Sequence, residues 1–242
     1  MNKPILKKII VQQLKKYPNN RTTSFKYRGE RYWLKQKESS SIIKSLLMKD
    51  SSTNLNKEKL VLQKFIKLKI PVPNVVDSGN DYLVLSDVGD NILCLFENKK
   101  LDHSEKQKIL IKTSTALAKL HEKLCSHGRP SIKDICLKNN KIYFIDFEEF
   151  QLGKNIQKQQ MRDLLIFIHS LYRFFGIYNE SIKKIIKAYQ QNGGEKVWVM
   201  TNKKIQTWLW LRYIFYFFRK SGGKDITPIY WVFNFFKSQK KF

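Results

Sequence analysis

The sequence predicts an α+β fold whose strands and helices are segregated into two halves, and three observations carry that prediction. Short β-rich runs and one amphipathic helix occupy residues 1–89. Helical periodicity dominates residues 90–242. Strands and helices do not alternate as they do in parallel βαβ units. With 242 residues, 42% of them hydrophobic, the chain is long and apolar enough to bury a real core. The division expected is therefore a strand-rich first lobe over 1–89 and a mostly helical second lobe over 90–242.

Taken in order, Thr22–Tyr27 and Arg31–Lys37 read as two strands around Arg28-Gly29-Glu30, a hairpin turn. Residues 39–53, rich in Ser and Lys, read as a polar connection. From Asn56 to Lys69 the positions Leu60, Leu62, Phe65, Ile66 and Leu68 fit one helical face, and Pro71 and Pro73 end that helix. Tyr82–Leu85 is a short buried strand running into Ser86-Asp87-Val88-Gly89. Ser104 and Gln107 have capping-box spacing, opening a helix that runs to about Cys125 with Ile109, Leu110, Thr113, Leu117 and Leu120 on one side. A loop at His127–Pro130 and a strand at Ile142–Ile145 follow. Helices are expected over 159–175, 180–191, 203–220 and 228–237.

Composition narrows the compartment and the partners. Lys and Arg number 46 against 20 acidic residues, a formal charge of +26. That excess points to anionic partners, whether nucleic acid, an anionic membrane face or a phosphorylated substrate, although a Lys- and Ile-rich coding habit also contributes. Cys94, Cys125 and Cys136 are odd in number and unpaired in spacing, which argues for a reducing compartment and against a disulfide framework or zinc site. The first residues, MNKPILKKIIVQQLKK, lack a small-residue cleavage site, and no stretch reaches the roughly 18 uncharged apolar residues of a spanning helix. A cytoplasmic protein, free or peripheral at the inner membrane, is expected.

Phosphoryl transfer needs phosphates held, magnesium held and a hydroxyl aimed. Lys35, on the strand Tyr32–Lys35, followed by Glu58 on the next helix, has the order of an ion pair that aims an ammonium at phosphates; a solvated strand face is the alternative. Asp146 ends an apolar strand, and Asp134 lies twelve residues upstream in a loop. Two such carboxylates suit a hard cation, with a turn residue and a strand-end cap as the plainer reading.

The segments His127–Asp134 and Tyr143–Glu148 resemble the active-site segment of small bacterial kinase-like proteins, as do Leu117–His121 leading into Ser126–Gly128 and the run Leu83–Gly89. These are the lipopolysaccharide inner-core sugar kinases, acting on heptose or 3-deoxy-D-manno-octulosonic acid, and their relatives near the atypical kinase of the KEOPS complex. The resemblance covers roughly residues 20–175. It implies a two-lobed protein-kinase-like fold, ATP and Mg2+ as cofactors, and a lipid-linked or other hydroxyl acceptor. It further implies that Lys35 contacts phosphates and Glu58 orients it, and that the hinge residues Ser86, Asp87 and Val88 receive adenine. Asp134 and Asp146 would hold the metal, and Asp163 would fix the backbone of the catalytic loop; an exposed helix carboxylate is the alternative for Asp163.

Two departures stand out. Only Gly29 lies in the first hairpin, so there is no Gly-rich phosphate loop. Arg129 occupies the position at which kinases have the Asp that accepts the substrate proton, and a cation cannot accept one. The proton then passes to a carboxylate such as Asp134 or Glu148, or the reaction is slow, or the chain is a nucleotide-binding pseudokinase. The aromatic run Ile205–Arg219 reads first as a core helix and secondly as an interfacial surface. An RNA-binding module is the rival outside enzyme classes, but no known RNA-binding motif is present.

Overall fold

Strand alternation governs how the first half uses its side chains, because successive residues point to opposite faces of a sheet. The computed structural model describes residues 3–37, 51–147, 149–151, 153–176 and 179–239. It divides into two compact units, Met1–Gly89 and Asp90–Phe242. The first unit opens with α1 (Lys3–Lys16), then β1 (Thr22–Tyr27), β2 (Glu30–Gln36), α2 (Ser51–Lys67), β3 (Val75–Ser78) and β4 (Tyr82–Ser86). Its sheet has the order β1-β2-β4-β3, antiparallel throughout. The β1–β2 turn needs positive φ at both central residues, and Arg28 (φ 54°) and Gly29 (φ 82°) supply it. Leu34 and Val84 join Leu6 and Ile10 of α1 with Phe25 and Tyr27 in one core cluster. Lys35, one residue along, therefore faces the other way.

On α2 the buried stripe is Leu55, Glu58, Val61, Leu62 and Phe65. The face expected from sequence is only partly right: Leu62 and Phe65 are buried, whereas Leu60, Ile66 and Leu68 are exposed. A glutamate on an apolar stripe misleads a hydrophobicity pattern, and here it marks the helix face. The helix closes with Ile70 N–H donating to Phe65 C=O at 2.9 Å and Lys69 at φ 54°, just before Pro71. Most of the expected polar connection, residues 39–50, lies outside the described residues; 51–53 are helical.

The second unit begins with β5 (Asp90–Asn91), α3 (Ile92–Asn98) and α4 (His103–Glu122). A 3-10 turn (Ile132–Asp134) leads into β6 (Ile135–Lys138) and β7 (Lys141–Phe144), and the sheet order is β5-β6-β7. Then come α5 (Ile156–Phe175), α6 (Asn179–Tyr189), a π turn (Gln190–Gly194), α7 (Glu195–Gln206), α8 (Leu211–Tyr216) and α9 (Gly223–Ser238). The cap of α4 is shifted two residues from the expected Ser104–Gln107 box. The Asp102 carboxylate accepts from Glu105 N–H at 2.7 Å, and the Glu105 carboxylate accepts from Asp102 N–H at 2.9 Å. An ionised acceptor at the positive end of a helix outcompetes a hydroxyl. The same helix stops at Glu122, where Leu124 takes φ 53° and Cys125 N–H reaches back to Leu120 C=O at 3.2 Å.

The expected helix over 203–220 is broken. After α7 the chain winds through i→i−3 bonds such as Trp208 N–H to Ile205 C=O at 2.9 Å, and α8 buries no residue. The core assignment for Ile205–Arg219 is thus overturned for most of its rings. The interior position beside α5 and α7 goes to α9, whose Phe233, Phe235 and Phe236 are buried, with Trp198 stacked on Phe236 at 5.2 Å.

Candidate functional site

Residues of β2 at alternate positions share one face, and Arg31, Trp33 and Lys35 are such a set. Lys35 Nζ donates to Glu58 Oε1 at 2.7 Å, and the Glu58 side chain is only 1% exposed. This pair is internal to the first unit and holds the ammonium in one position. Arg31 Nε and Trp33 Nε1 donate to Asp87 Oδ1 at 2.8 and 3.0 Å, and Gly89 N–H donates to Oδ2 at 3.1 Å. Burial alone raises the Asp87 pKa, but these hydrogen bonds from Trp33, Arg31 and Gly89 and the Arg31 charge bring it below the ordinary carboxylate value. Asp87 therefore acts as a clasp on the segment after β4. Ser86 is held by the sheet as well: its N–H donates to Asn74 C=O at 3.0 Å and its hydroxyl accepts from Asn74 N–H at 2.9 Å. Val88 is buried.

In the second unit the loop after α4 is organised from below by Asp163 on α5, whose side chain is 0% exposed. Its Oδ2 accepts from His127 N–H at 2.6 Å and Ser126 Oγ at 2.9 Å, and its Oδ1 accepts from Gly128 N–H at 2.9 Å. His121 Nε2 is 3.2 Å from the same Oδ2, and His121 Nδ1 is 2.6 Å from the Tyr189 hydroxyl, whose pKa burial raises. A buried carboxylate with this many donors is satisfied, and it fixes two consecutive loop amides. Of the two readings of Asp163 left open by the sequence, the exposed-carboxylate one does not hold.

Gly128 fits where no other residue does. At φ 99°, a Cβ on it would stand 2.6 Å from the backbone of Glu149 and Phe150. His127 packs on Phe147 with ring centroids 4.8 Å apart and takes the Arg129 N–H on Nδ1 at 3.3 Å. Complete burial lowers its pKa against the opposing pull of Asp163 and Asp146, so the ring is a neutral part of the scaffold.

Above this scaffold the loop presents its charged groups. Asp134 sits at the end of the 3-10 turn with its N–H on Ser131 C=O at 2.8 Å, and its own C=O accepts Ile145 N–H at 3.1 Å. That bond ties the loop to the strand end bearing Asp146. Asp146 has φ 66°, a left-handed conformation that costs a non-glycine residue about 1–2 kcal/mol and is retained where surroundings demand it. Arg129 Nε is 3.9 Å from Asp134 Oδ2, and Arg129 Nη2 is 3.6 Å from Asp146 Oδ2. Both carboxylates thus flank one guanidinium, in contacts too long for good hydrogen bonds. Glu148, the other proton acceptor considered, lies outside the described residues.

These donors fit magnesium. Among the described residues no group of three or more His, Cys, Asp or Glu is placed to cage a metal. Magnesium is instead commonly held by one or two carboxylates together with substrate phosphates, and Asp134 and Asp146 are two carboxylates already gathered about a cation.

Residues 11–160 match the RIO domain. The chain belongs to the RIO domain family. RIO domains are an atypical kinase family, and the antiparallel strand-rich first part and mostly helical second part of this chain are those of a protein-kinase-like fold. An uncharacterized protein of Haemophilus influenzae is 32% identical over 232 residues, 96% of each chain. The KEOPS complex subunit Bud32 of Pyrococcus abyssi is 27% identical over 146 residues, 57% of this chain and 64% of Bud32. The ADP-bound aminoglycoside phosphotransferase APH(2'')-Ib aligns with a TM-score of 0.49 and 17% identity, over 94% of this chain and 97% of that one. The RIO match takes in Lys35, Glu58, Arg129, Asp134 and Asp146 and stops three residues short of Asp163.

Sequence reasoning missed several residues around these positions. Arg31 and Trp33 were legible as the i−4 and i−2 neighbours of Lys35 on one strand face. His121 and Ser126 lie in a segment that carries the resemblance, but their contacts with Asp163, and the part of Tyr189, arise only where separate segments meet.

Proposed function

We propose that this RIO-domain chain is an ATP-dependent phosphotransferase that moves the γ-phosphoryl group to a hydroxyl acceptor. The observation that carries the reading is the gathering of two carboxylates about Arg129: Asp134 follows the loop whose amides buried Asp163 clamps, and Asp146 sits at the strand end tied to it. Asp146 and Asp134 would hold magnesium. When bound, the metal neutralises phosphate charge as the phosphoryl group moves. Lys35, kept in place by Glu58, would contact the nucleotide phosphates, and the segment Ser86–Val88, clasped through Asp87, would receive adenine. The acceptor oxygen bonds to phosphorus, the bond to the ADP oxygen breaks, and the hydroxyl proton leaves to a carboxylate or to water.

Arg129 cannot take that proton. A guanidinium is instead suited to bidentate contact with an anionic oxygen pair, on the acceptor or on the phosphoryl group in transit. Losing a base need not end the reaction, because general-base help is worth about 10²–10⁴-fold while positioning and electrostatics supply more. For the acceptor, the resemblance of the 117–148 segment to lipopolysaccharide core kinases favours a hydroxyl of an anionic inner-core sugar. The match to Bud32 supports a second reading, an atypical protein kinase or ATPase. Arg129 itself favours a third, a nucleotide-binding pseudokinase. A thermal-shift series with ATP and magnesium, together and apart, tests the nucleotide claim: a shift needing both supports it, and no shift with either removes it.

A further inference from the structure

The stretch between Glu195 and Asp225 contains no acidic residue, carries Lys and Arg throughout, and includes the most exposed aromatic rings among the described residues of the second unit. Trp210 is 60% exposed, Tyr213 68% and Phe217 77%, and Trp208, Ile214 and Phe218 are exposed beside them. Burial normally claims such side chains, and so many exposed along one segment point to an interaction surface. The segment is not loose at its base: Phe215 stacks on Phe233 at 6.0 Å and Tyr216 meets Tyr230 at 5.9 Å, both rings of α9.

We propose that residues 203–224 form a docking face for an anionic lipid surface, with Trp208, Trp210, Ile214, Phe217 and Phe218 entering the headgroup boundary. Charge complementarity selects this occupant. The unbroken positive sign suits anionic headgroups and opposes a second copy of the same face, which would set like charges together. Lys204, Arg212 and Arg219 lie over Trp208, Tyr213 and Tyr216 at 4.8, 5.0 and 3.5 Å, so each of these rings has a cation beside it. Phe217, Phe218 and Ile214 offer hydrocarbon and no hydrogen bond, which a lipid boundary accepts. Cations beside Trp and Tyr suit that zone, apolar body inward and charged tip outward. Among the described residues no helix is long and apolar enough to cross a membrane, so the contact proposed is superficial.

The test is sedimentation of the full chain with phosphatidylcholine vesicles, with and without phosphatidylglycerol, joined to quenching of tryptophan emission by brominated lipid. Binding is expected only with phosphatidylglycerol, weakening as salt rises, with quenching that the double variant Trp208→Phe/Trp210→Phe largely loses. Trp210→Ser/Phe217→Ser should weaken binding at least about tenfold with an unchanged melting temperature, since both side chains are exposed. The proposal is overturned by absent vesicle binding, by equal binding to both compositions, or by binding that the Trp210/Phe217 variant leaves intact. RNA binding lost in that variant, or self-association through this face, without vesicle binding, overturns it in favour of those partners. Either result leaves the phosphotransferase reading standing.

Discussion

Arg129 Nη2 stands 3.6 Å from Asp146 Oδ2, and its Nε stands 3.9 Å from Asp134 Oδ2, so one guanidinium faces both carboxylates proposed to hold magnesium. A divalent metal held by these carboxylates would compete with the guanidinium. Arg129→Ala should therefore tighten magnesium binding in calorimetric titration while lowering transfer to an anionic acceptor, and Arg129→Asp should not raise transfer. Because the Arg129 side chain is 43% exposed, the pair contributes at most about 1 kcal/mol, and the melting temperature should barely move. Weaker magnesium binding in the alanine variant would contradict the competition.

The Lys35–Glu58 pair is a different case, because its carboxylate is buried. Lys35→Met leaves the buried Glu58 carboxyl without its ammonium partner and should cost about 3–5 kcal/mol in urea unfolding. Lys35→Met/Glu58→Leu should recover most of that stability, yet neither variant should regain nucleotide affinity. A double variant as unstable as the single one would mean that the pair is incidental to the packing of α2.

Asp163→Ala removes the acceptor for two loop amides and the Ser126 hydroxyl at once. Unfolding free energy should fall by about 3 kcal/mol or more, lowering the melting temperature by roughly 6–12 °C. Hydrogen exchange should accelerate at His127 and Gly128 before it does elsewhere in α4 or α5. Unchanged protection of those two amides would exclude the clamp.

Acid should report on Asp87. Its folded pKa is below the ordinary carboxylate value, so the stability it contributes is present above the unfolded value of about 3.9 and is lost as pH falls through the folded value. Asp87→Asn should lower stability at neutral pH and lose little more between pH 4 and the acid limit (about pH 2), narrowing its gap from wild type. Parallel urea-midpoint curves for the two proteins over that window would show that Asp87 is not the titrating group.

How much of this could be read from sequence differs between the parts. The β1–β2 hairpin was legible because turn chemistry at Arg28-Gly29 and the flanking β-formers agree locally. Lys35 and Glu58 were legible as a pair only through strand and helix order, and the 2.7 Å contact lies where α2 buries a glutamate on its apolar stripe. The loop-fixing part of Asp163 was implied by the resemblance, whereas the contacts of His121, Ser126 and Tyr189 around it form only in three dimensions. Composition misled at Ile205–Arg219: an aromatic helix reads as core, yet α9 competes for the interior position and wins.

The central claim is phosphoryl transfer dependent on Asp146, and its most direct measurement is release of label from γ-labelled ATP to core-lipid and protein extracts, with wild type and Asp146→Asn compared in magnesium. The account predicts magnesium-dependent labelling of an acceptor by wild type and a loss of at least about 10²-fold in the variant, with the fold retained. Wild-type chain that binds magnesium and ATP yet labels neither extract, or an Asp146→Asn variant that labels as well as wild type, would contradict it.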